Sequence, residues 1–308
     1  NCASLVQSEI MKKIVVLGST NTDMVVTGKR IPKPGETVSG GRFLMNPGGK
    51  GANQAVAVAR LSASKGACTF IGKVGDDMFG RDCAKRMKKD GITARLVVDG
   101  VNASGTALIL VDAKGQNVIS VALGANGTLC VEDIAPFRKD IENAAALLLQ
   151  LETPMETVLE AAKWAHAKGV PVILNPAPAA KLPKKLYRCL EWITPNETEA
   201  ELLTGVKVTD AESAGAATKT LMRRGVGHVI ITMGSKGVYC GDCGMMFPAK
   251  KVKAVDCVAA GDTFNGAFAV ALAEGKSCKD AIAFAQMAAA ISVTRSGAQS
   301  SIPFRSEM

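Results

Sequence analysis

From residue 145 onward the chain alternates short apolar runs with longer helix-patterned stretches, and that alternation constrains its fold most. The runs Ala145 to Leu151, Val170 to Leu174, Trp192 to Thr194 and Val229 to Met233 have strand length and little polar alternation, as strands buried on both faces do. Between them, Thr153 to Lys168, with Pro154 in its first turn, and Ala211 to Arg224, closed by Gly225, read as helices. Asn196 to Leu203 reads as a shorter one. After a hairpin from Val238 to Phe247, two Ala-rich helices, Gly261 to Glu274 and Cys278 to Val293, finish the pattern. Such alternation predicts an α/β protein: a three-layer sandwich with a central, mostly parallel sheet and helices on both faces.

The first half fits this scheme only in part. Lys13 to Ser19 and Cys68 to Val74 read as buried strands, and Ala52 to Leu61 and Phe79 to Asp90 as helices. Met24 to Thr27 and Thr37 to Phe43 are β-rich but separated by Pro32, Pro34 and Gly35, which suits strands outside the main sheet. Ser104 to Val111 and Asn117 to Leu123 are joined by the turn Asp112-Ala113-Lys114-Gly115. These pieces predict a small β-sheet formed by inserted segments of about 24–45 and 95–123, interleaved with a single domain over 13–305. Residues 1–10, ahead of Met11, are set aside as an extension.

Composition narrows the function. An excess of 37 Lys+Arg over 28 Asp+Glu favours anionic partners. The basic groups, such as Lys250, Lys251 and Lys253, are short and scattered, read as solvated surface, and lack interleaved aromatics. No nucleic acid is therefore expected as partner. No run of about 18 apolar residues is present, so no membrane span is expected. Nine cysteines, an odd and scattered set, with no signal peptide ahead of them, point to a reducing compartment and a cytoplasmic protein. Cys240 and Cys243 form one C-x-x-C in a Gly-rich turn, read as structural thiols. Only two histidines are present, His166 and His228, so a His-based triad or multi-His metal site is not expected.

The segment Asp256-Cys257-Val258-Ala259-Ala260-Gly261-Asp262-Thr263-Phe264-Asn265-Gly266 follows a β run and opens a long helix. Small residues let a ligand approach the backbone, and the free N–H groups of a helix start attract an anion. Asp262 there is either a helix-start carboxylate, favourable by itself, or a base that takes a proton from a hydroxyl attacking a phosphoryl group. A second glycine loop, Pro47-Gly48-Gly49-Lys50-Gly51-Ala52-Asn53, matches neither the phosphate-loop nor the dinucleotide spacing. Its Lys50 and Asn53 suit hydroxyl recognition, as do Asn21 and Asp23 at the end of the first strand; a tight turn is the plainer reading. Glu152, Thr232 and Gly234 end other strands, and Asn196-Glu197-Thr198-Glu199 opens an acidic helix.

Together these segments resemble the ribokinase (phosphofructokinase B type) family of carbohydrate kinases, over nearly all of Lys13 to Arg305. The resemblance rests also on Pro34-Gly35-Glu36-Thr37-Val38, Leu149-Gln150-Leu151-Glu152 and Asn175-Pro176-Ala177-Pro178-Ala179, in order and at consistent spacing. It implies a ribokinase-like sandwich with a β-sheet lid, and ATP-dependent phosphorylation of the 5-hydroxyl of D-ribose. A kinase for deoxyribose, another small sugar or a nucleoside, and a non-catalytic binding module, are the alternatives. By similarity, Asp262 is the base and Gly261 with the helix start the anion hole. Asn21, Asp23, Gly49, Lys50, Asn53 and Glu152, with Asp262, match sugar-binding positions. Asn196, Thr232, Gly234, Ser235, Lys236, Gly237, Gly261 and Gln286 match positions around ATP, Gln286 standing where relatives often carry His or Asn. Asp256, Val258, Ser292, Arg295, Gly297 and Ser301 match a potassium loop, and Glu197 and Glu199 a motif tied indirectly to Mg²⁺. The lid implies a homodimer. Relatives often continue with a further helix after Phe304-Arg305, so a short or truncated chain is implied, with organellar targeting left open.

Overall fold

The computed structural model describes residues 12–308; the extension assigned to 1–10 lies outside the described residues. Its strands are β1 (Ile14–Leu17), β2 (Asn21–Thr27), β3 (Arg42–Gly48), β4 (Cys68–Gly75), β5 (Thr93–Asp99), β6 (Gly105–Val111) and β7 (Asn117–Ala122). They continue with β8 (Ala146–Leu149), β9 (Val172–Leu174), β10 (Trp192–Ile193), β11 (His228–Thr232), β12 (Val238–Cys240) and β13 (Met245–Phe247). The helices are α1 (Lys50–Leu61), α2 (Met78–Lys89), α3 (Val131–Ile134), α4 (Arg138–Glu142) and α5 (Met155–Ala167). They end with α6 (Lys184–Tyr187), α7 (Glu197–Thr204), α8 (Ala211–Arg223), α9 (Ala260–Ala273) and α10 (Cys278–Ser292).

A nine-stranded sheet runs β13-β12-β11-β10-β9-β8-β1-β4-β5. It is parallel from β11 to β5, and the β12–β13 hairpin adds antiparallel pairs at one edge. Period-two alternation feeds both faces. Val15, Leu17, Leu147 and Leu149 enter a core shared with α5, α7 and α8. Ile14, Val16, Ala146 and Leu148 enter a second core with α1, α2, α9 and α10. The expected three-layer α/β sandwich is what forms. Trp192 bridges to His228, whose ring stacks on it at 4.4 Å, so that histidine is packed into the sheet edge.

A separate four-stranded sheet runs β3-β2-β6-β7. Its limits differ from the expected 24–45 and 95–123. Residues 93–99 are β5 and pair in parallel with β4, so they belong to the large sheet. They were missed as a strand because this edge alternates polar and apolar side chains: Arg95 faces out to Asp140, while Ala94 and Leu96 pack inward. The small sheet starts again only at Gly105. Its first half reaches from Asn21 to Gly48, and Pro47 is tolerated because β3 is an edge strand. Thr37 to Gly41 form no strand. The β run expected ahead of Asp256 is also absent, residues 248–258 being irregular chain. Among the described residues no helix is long and apolar enough to cross a membrane.

Candidate active site

Parallel strands deliver their carboxyl ends to one edge of the sheet, and the sequence places its polar residues there. β1 leads to Ser19 and Asn21, β8 to Gln150 and Glu152, β9 to Asn175, β10 to Thr194 and Asn196, and β11 to Gly234. The amino ends of α1 and α9 meet the same edge. A cavity of about 750 Å³ opens between them, with Lys50, Asn196, Glu199, Thr232, Gly261 and Asp262 in its walls.

Asp262 stands in the first turn of α9 and is 6% exposed. Asn53 Nδ2 donates to its Oδ2 at 2.9 Å, and Gln54 Nε2 to its Oδ1 at 3.0 Å. Both donors sit at the start of α1, so the site depends on how closely the two helices approach. Gly266 sets that distance: a Cβ there would fall 2.5 Å from Ala57 Cβ and 2.9 Å from the Gln54 carbonyl oxygen. The residue preceding α9, Ala259, has φ 59°, a left-handed conformation that favours glycine. Such strain concentrates at functional turns. Gly261 is different. It lines the cavity, its φ is not left-handed, and a Cβ there would meet nothing within 4 Å. Neither packing nor backbone geometry accounts for a glycine at that position.

On the side of the small sheet, the Glu152 Oε2 atom accepts from Ser19 Oγ at 2.5 Å and from the Lys50 backbone N–H at 2.9 Å. Burial, with the neighbouring Glu152 carboxylate, pushes the Asp23 carboxyl up to about 6. Burial works against the Lys50 ammonium, but Asp262, Glu152 and Glu199 outweigh it and hold its pKa above the usual lysine value. Gly49, with φ +88°, and Gly51 let the α1 start press on the β1–β2 link: Cβ atoms there would fall 2.7 Å from backbone atoms of that link. The loop is therefore both the tight turn and the frame for Lys50 and Asn53. Of the six residues matched to sugar binding, only Lys50 lines the large cavity. Asn53 joins through Asp262 and Glu152 through the Lys50 backbone, while Asn21 and Asp23 stand on β2.

On the opposite side Asn196, Thr232, Gly234, Ser235, Gly237, Gly261 and Gln286 line the cavity. Lys236 does not: its Nζ donates to the Thr209 carbonyl at 3.1 Å and lies 3.6 Å from Glu197 Oε1. Gln286 Nε2 donates to the Phe247 carbonyl at 3.0 Å, tying α10 to the end of the hairpin. Lys250 and Lys251, read from sequence as solvated surface, are cavity walls as well. Glu197 and Glu199 face the cavity from the α7 start, where Asn196 and Glu199 cap each other. Burial raises the Glu199 carboxyl above its usual value, against the Asn196 backbone N–H and the Lys50 charge.

Behind α9, the segments around Asp256 and Gly297 are tied together. Asp256 accepts the Val258 N–H on Oδ1 and the Gly297 N–H on Oδ2, each at 2.9 Å. Ser292 and Ser301 are fully buried, and Arg295 pairs with Glu307 at 2.5 Å. The carbonyl oxygens of Asp256, Val258, Arg295 and Gly297 receive no protein donor among the described residues. The C-x-x-C turn gains a third thiol, Cys278 Sγ lying 3.6 Å from Cys240 Sγ.

Sequence reasoning missed the buried amides. Gln54 links Asp262 to Asn175 and Gln150, and Asn126 holds Asn21 Oδ1 at 2.8 Å and the Thr20 carbonyl at 3.0 Å. The one available signal was a Gln inside an Ala/Val run, a polar side chain on a helix otherwise buried all round.

This edge, with a carboxylate at a helix start beside a large cavity lined by both lysines and glutamates, is the layout of a small-molecule phosphotransferase. The model of the pfkB family carbohydrate kinases matches residues 11–305, and the chain belongs to that family. Within it, the chain is 45% identical over 299 residues to a ribokinase of Haemophilus influenzae, covering 96% of this chain and 97% of the relative. It is 38% identical to a deoxyribokinase of Salmonella typhi, over 94% of this chain and 95% of that one. An Arabidopsis thaliana ribokinase structure complexed with ribose and ATP superposes with TM-score 0.89 at 33% identity, over 96% of this chain and 97% of that one.

Proposed function

We propose that the chain transfers the γ-phosphoryl group of ATP to the 5-hydroxyl of D-ribose, releasing ADP and D-ribose 5-phosphate. The observation that carries this reading is Gly261: a glycine lining the cavity in the first turn of α9, with open space where a side chain would be. Such a position suits an oxyanion brought against helix N–H groups. In this mechanism Asp262 takes the hydroxyl proton as the oxygen attacks the γ-phosphorus in line, and the bond to the ADP oxygen breaks. Asn53 and Gln54 hold the carboxylate for that step. Asn21, Asp23, Gly49, Lys50 and Glu152 read the sugar hydroxyls from the lid side. Asn196, Thr232, Gly234, Ser235, Gly237 and Gln286 hold the nucleotide, while the Lys236 side chain turns to the Thr209 carbonyl.

Glu197 and Glu199, on the cavity wall at the α7 start, would act on Mg²⁺ indirectly, Glu199 being held by Asn196, and the ion would supply neutralisation of phosphate charge. The four unpaired carbonyls around Asp256 fit a hard monovalent cation such as K⁺, which would fix the loop leading into α9. The lid would serve as the dimer contact as well as the cover over the sugar. A second reading, 2-deoxyribose as acceptor, is favoured by the deoxyribokinase relative.

The test is ADP release with ATP, Mg²⁺ and K⁺, offering D-ribose, 2-deoxyribose, fructose and adenosine in turn. Preference for ribose supports the reading; preference for deoxyribose replaces the acceptor and keeps the mechanism. Asp262→Asn should lower kcat by at least about 100-fold while leaving nucleotide affinity near normal. Retention of kcat would remove Asp262 from the role of base.

A further inference from the structure

Gln54 is fully buried on α1, among Ala and Val side chains. A buried amide is unfavourable unless its donors and acceptor are all paired. Here Nε2 donates to Asp262 Oδ1 at 3.0 Å and to Asn175 Oδ1 at 3.1 Å, while Oε1 accepts from Gln150 Nε2 at 2.6 Å. The polarity of this chain is dictated from one end. An ionised carboxylate can only accept, so both amides touching Asp262 turn their N–H groups toward it. Gln54 Oε1 is thereby turned to Gln150, which must present its own NH2.

That leaves Gln150 Oε1 buried with no partner among the described residues, against Gly18, where a Cβ would fall 2.0 Å from it. On the other side Asn53 Oδ1 is likewise unpaired for the same reason. Two costly unpaired oxygens are thus retained in a region where apolar side chains would pack without them. A purely structural role would favour the apolar solution.

We propose that Gln54, locked in one orientation by Gln150, is a positioning residue that fixes the plane of the Asp262 carboxylate and keeps it an acceptor toward the sugar hydroxyl. The role rests on the reading of Asp262 as base. Asn53 and Gln54, adjacent at the start of α1, each hold one carboxylate oxygen, so rotation of the group is blocked from both sides. Gln150 ties this control to the strand end that also carries Glu152, on the sugar side of the site.

The test compares Gln54→Leu and Gln150→Leu with the unaltered protein and with Asp262→Asn, by steady-state kinetics across pH. Gln54→Leu should lower kcat about ten- to a hundredfold, the worth of one hydrogen bond to a charged group, with KM for ATP changed less than about twofold. Gln150→Leu, which leaves Gln54 in place and carries the test if the first variant does not fold, should lower kcat by a smaller factor. In Gln54→Leu, which removes a donor to the carboxylate, the acidic limb of the kcat profile should move to higher pH; in Gln150→Leu, which only frees Gln54 to turn, it should move less. Unchanged kcat, or a loss with the acidic limb unmoved, overturns the role of Gln54. An active Asp262→Asn overturns the base reading instead, so the two failures separate.

Discussion

A methyl group at residue 261 separates function from stability. In the first turn of a helix, alanine is favoured over glycine by up to about 1 kcal/mol, and nothing lies within 4 Å to clash with it. Gly261→Ala should therefore raise Tm slightly while lowering kcat at least about 100-fold, read by calorimetry and ADP release on one preparation. A Tm gain with full activity would remove the anion hole from this turn. Asp23 makes a pH prediction. Its carboxyl, raised to about 6, accepts from a sugar hydroxyl more strongly when ionised, so KM for ribose should rise as pH falls through 6 while KM for ATP holds. The sign for stability is opposite: the folded chain binds this proton more tightly than the unfolded one, so the ligand-free protein gains from Asp23 as pH falls through 6. A ribose KM that stays flat from pH 7.5 to 5.5 would show that Asp23 does not contact the sugar in its ionised form. At this scale the sequence was most legible where chemistry imposes a rare combination, as in Ala260-Gly261-Asp262. It was least legible for Gln54 and Asn126, whose value lies in partners 208 and 105 residues distant.

Between elements, the contact of α1 with α9 is the one on which the site depends. Gly266→Ala adds a methyl 2.5 Å from Ala57 Cβ, at a wall of helix backbone that cannot yield. Overpacking of this kind costs about 1–3 kcal/mol, only partly offset by the better helix propensity of alanine. The expected outcome is a Tm lower by a few degrees and a kcat reduced about tenfold, with the nucleotide walls on α7 and α10 intact. Equal activity would mean that Asp262 tolerates a shift of its helix. Strands buried on both faces were readable because their apolar runs are unbroken, as in Ile14–Leu17 and Ala146–Leu149. β5 was not, since its polar alternation looks like a lid strand and only pairing with β4 assigns it. The hairpin edge and the irregular 248–258 segment are likewise set by tertiary contacts, not by local preference.

At the level of the whole molecule, the small sheet leaves apolar side chains uncovered. In its register Met24 lies between Met45 and Leu108, and Val26 faces Phe43, all on the side opposite Asp23. Phe43 is 58% and Leu108 55% exposed, an arrangement that marks an interaction surface. Leu108→Lys should shift the protein toward monomer in sedimentation velocity with Tm unchanged. A Leu108→Lys variant that stays dimeric would place the contact elsewhere, and a wild-type protein monomeric at all accessible concentrations would overturn the homodimer. The sequence foretold a small separate sheet, but not which of its side chains share a face, because face assignment needs the register. The hydrogen bond from Asn53 to Asp262 has one further consequence, in time and not in space. Its partners are 209 residues apart, so at ribosomal speeds the helix carrying the amide is made roughly 10 to 40 s before the carboxylate it serves. For that interval the emerging polypeptide holds an α1 that has its strands β1 and β4 but lacks its α9 partner, and chaperones have that long to meet it.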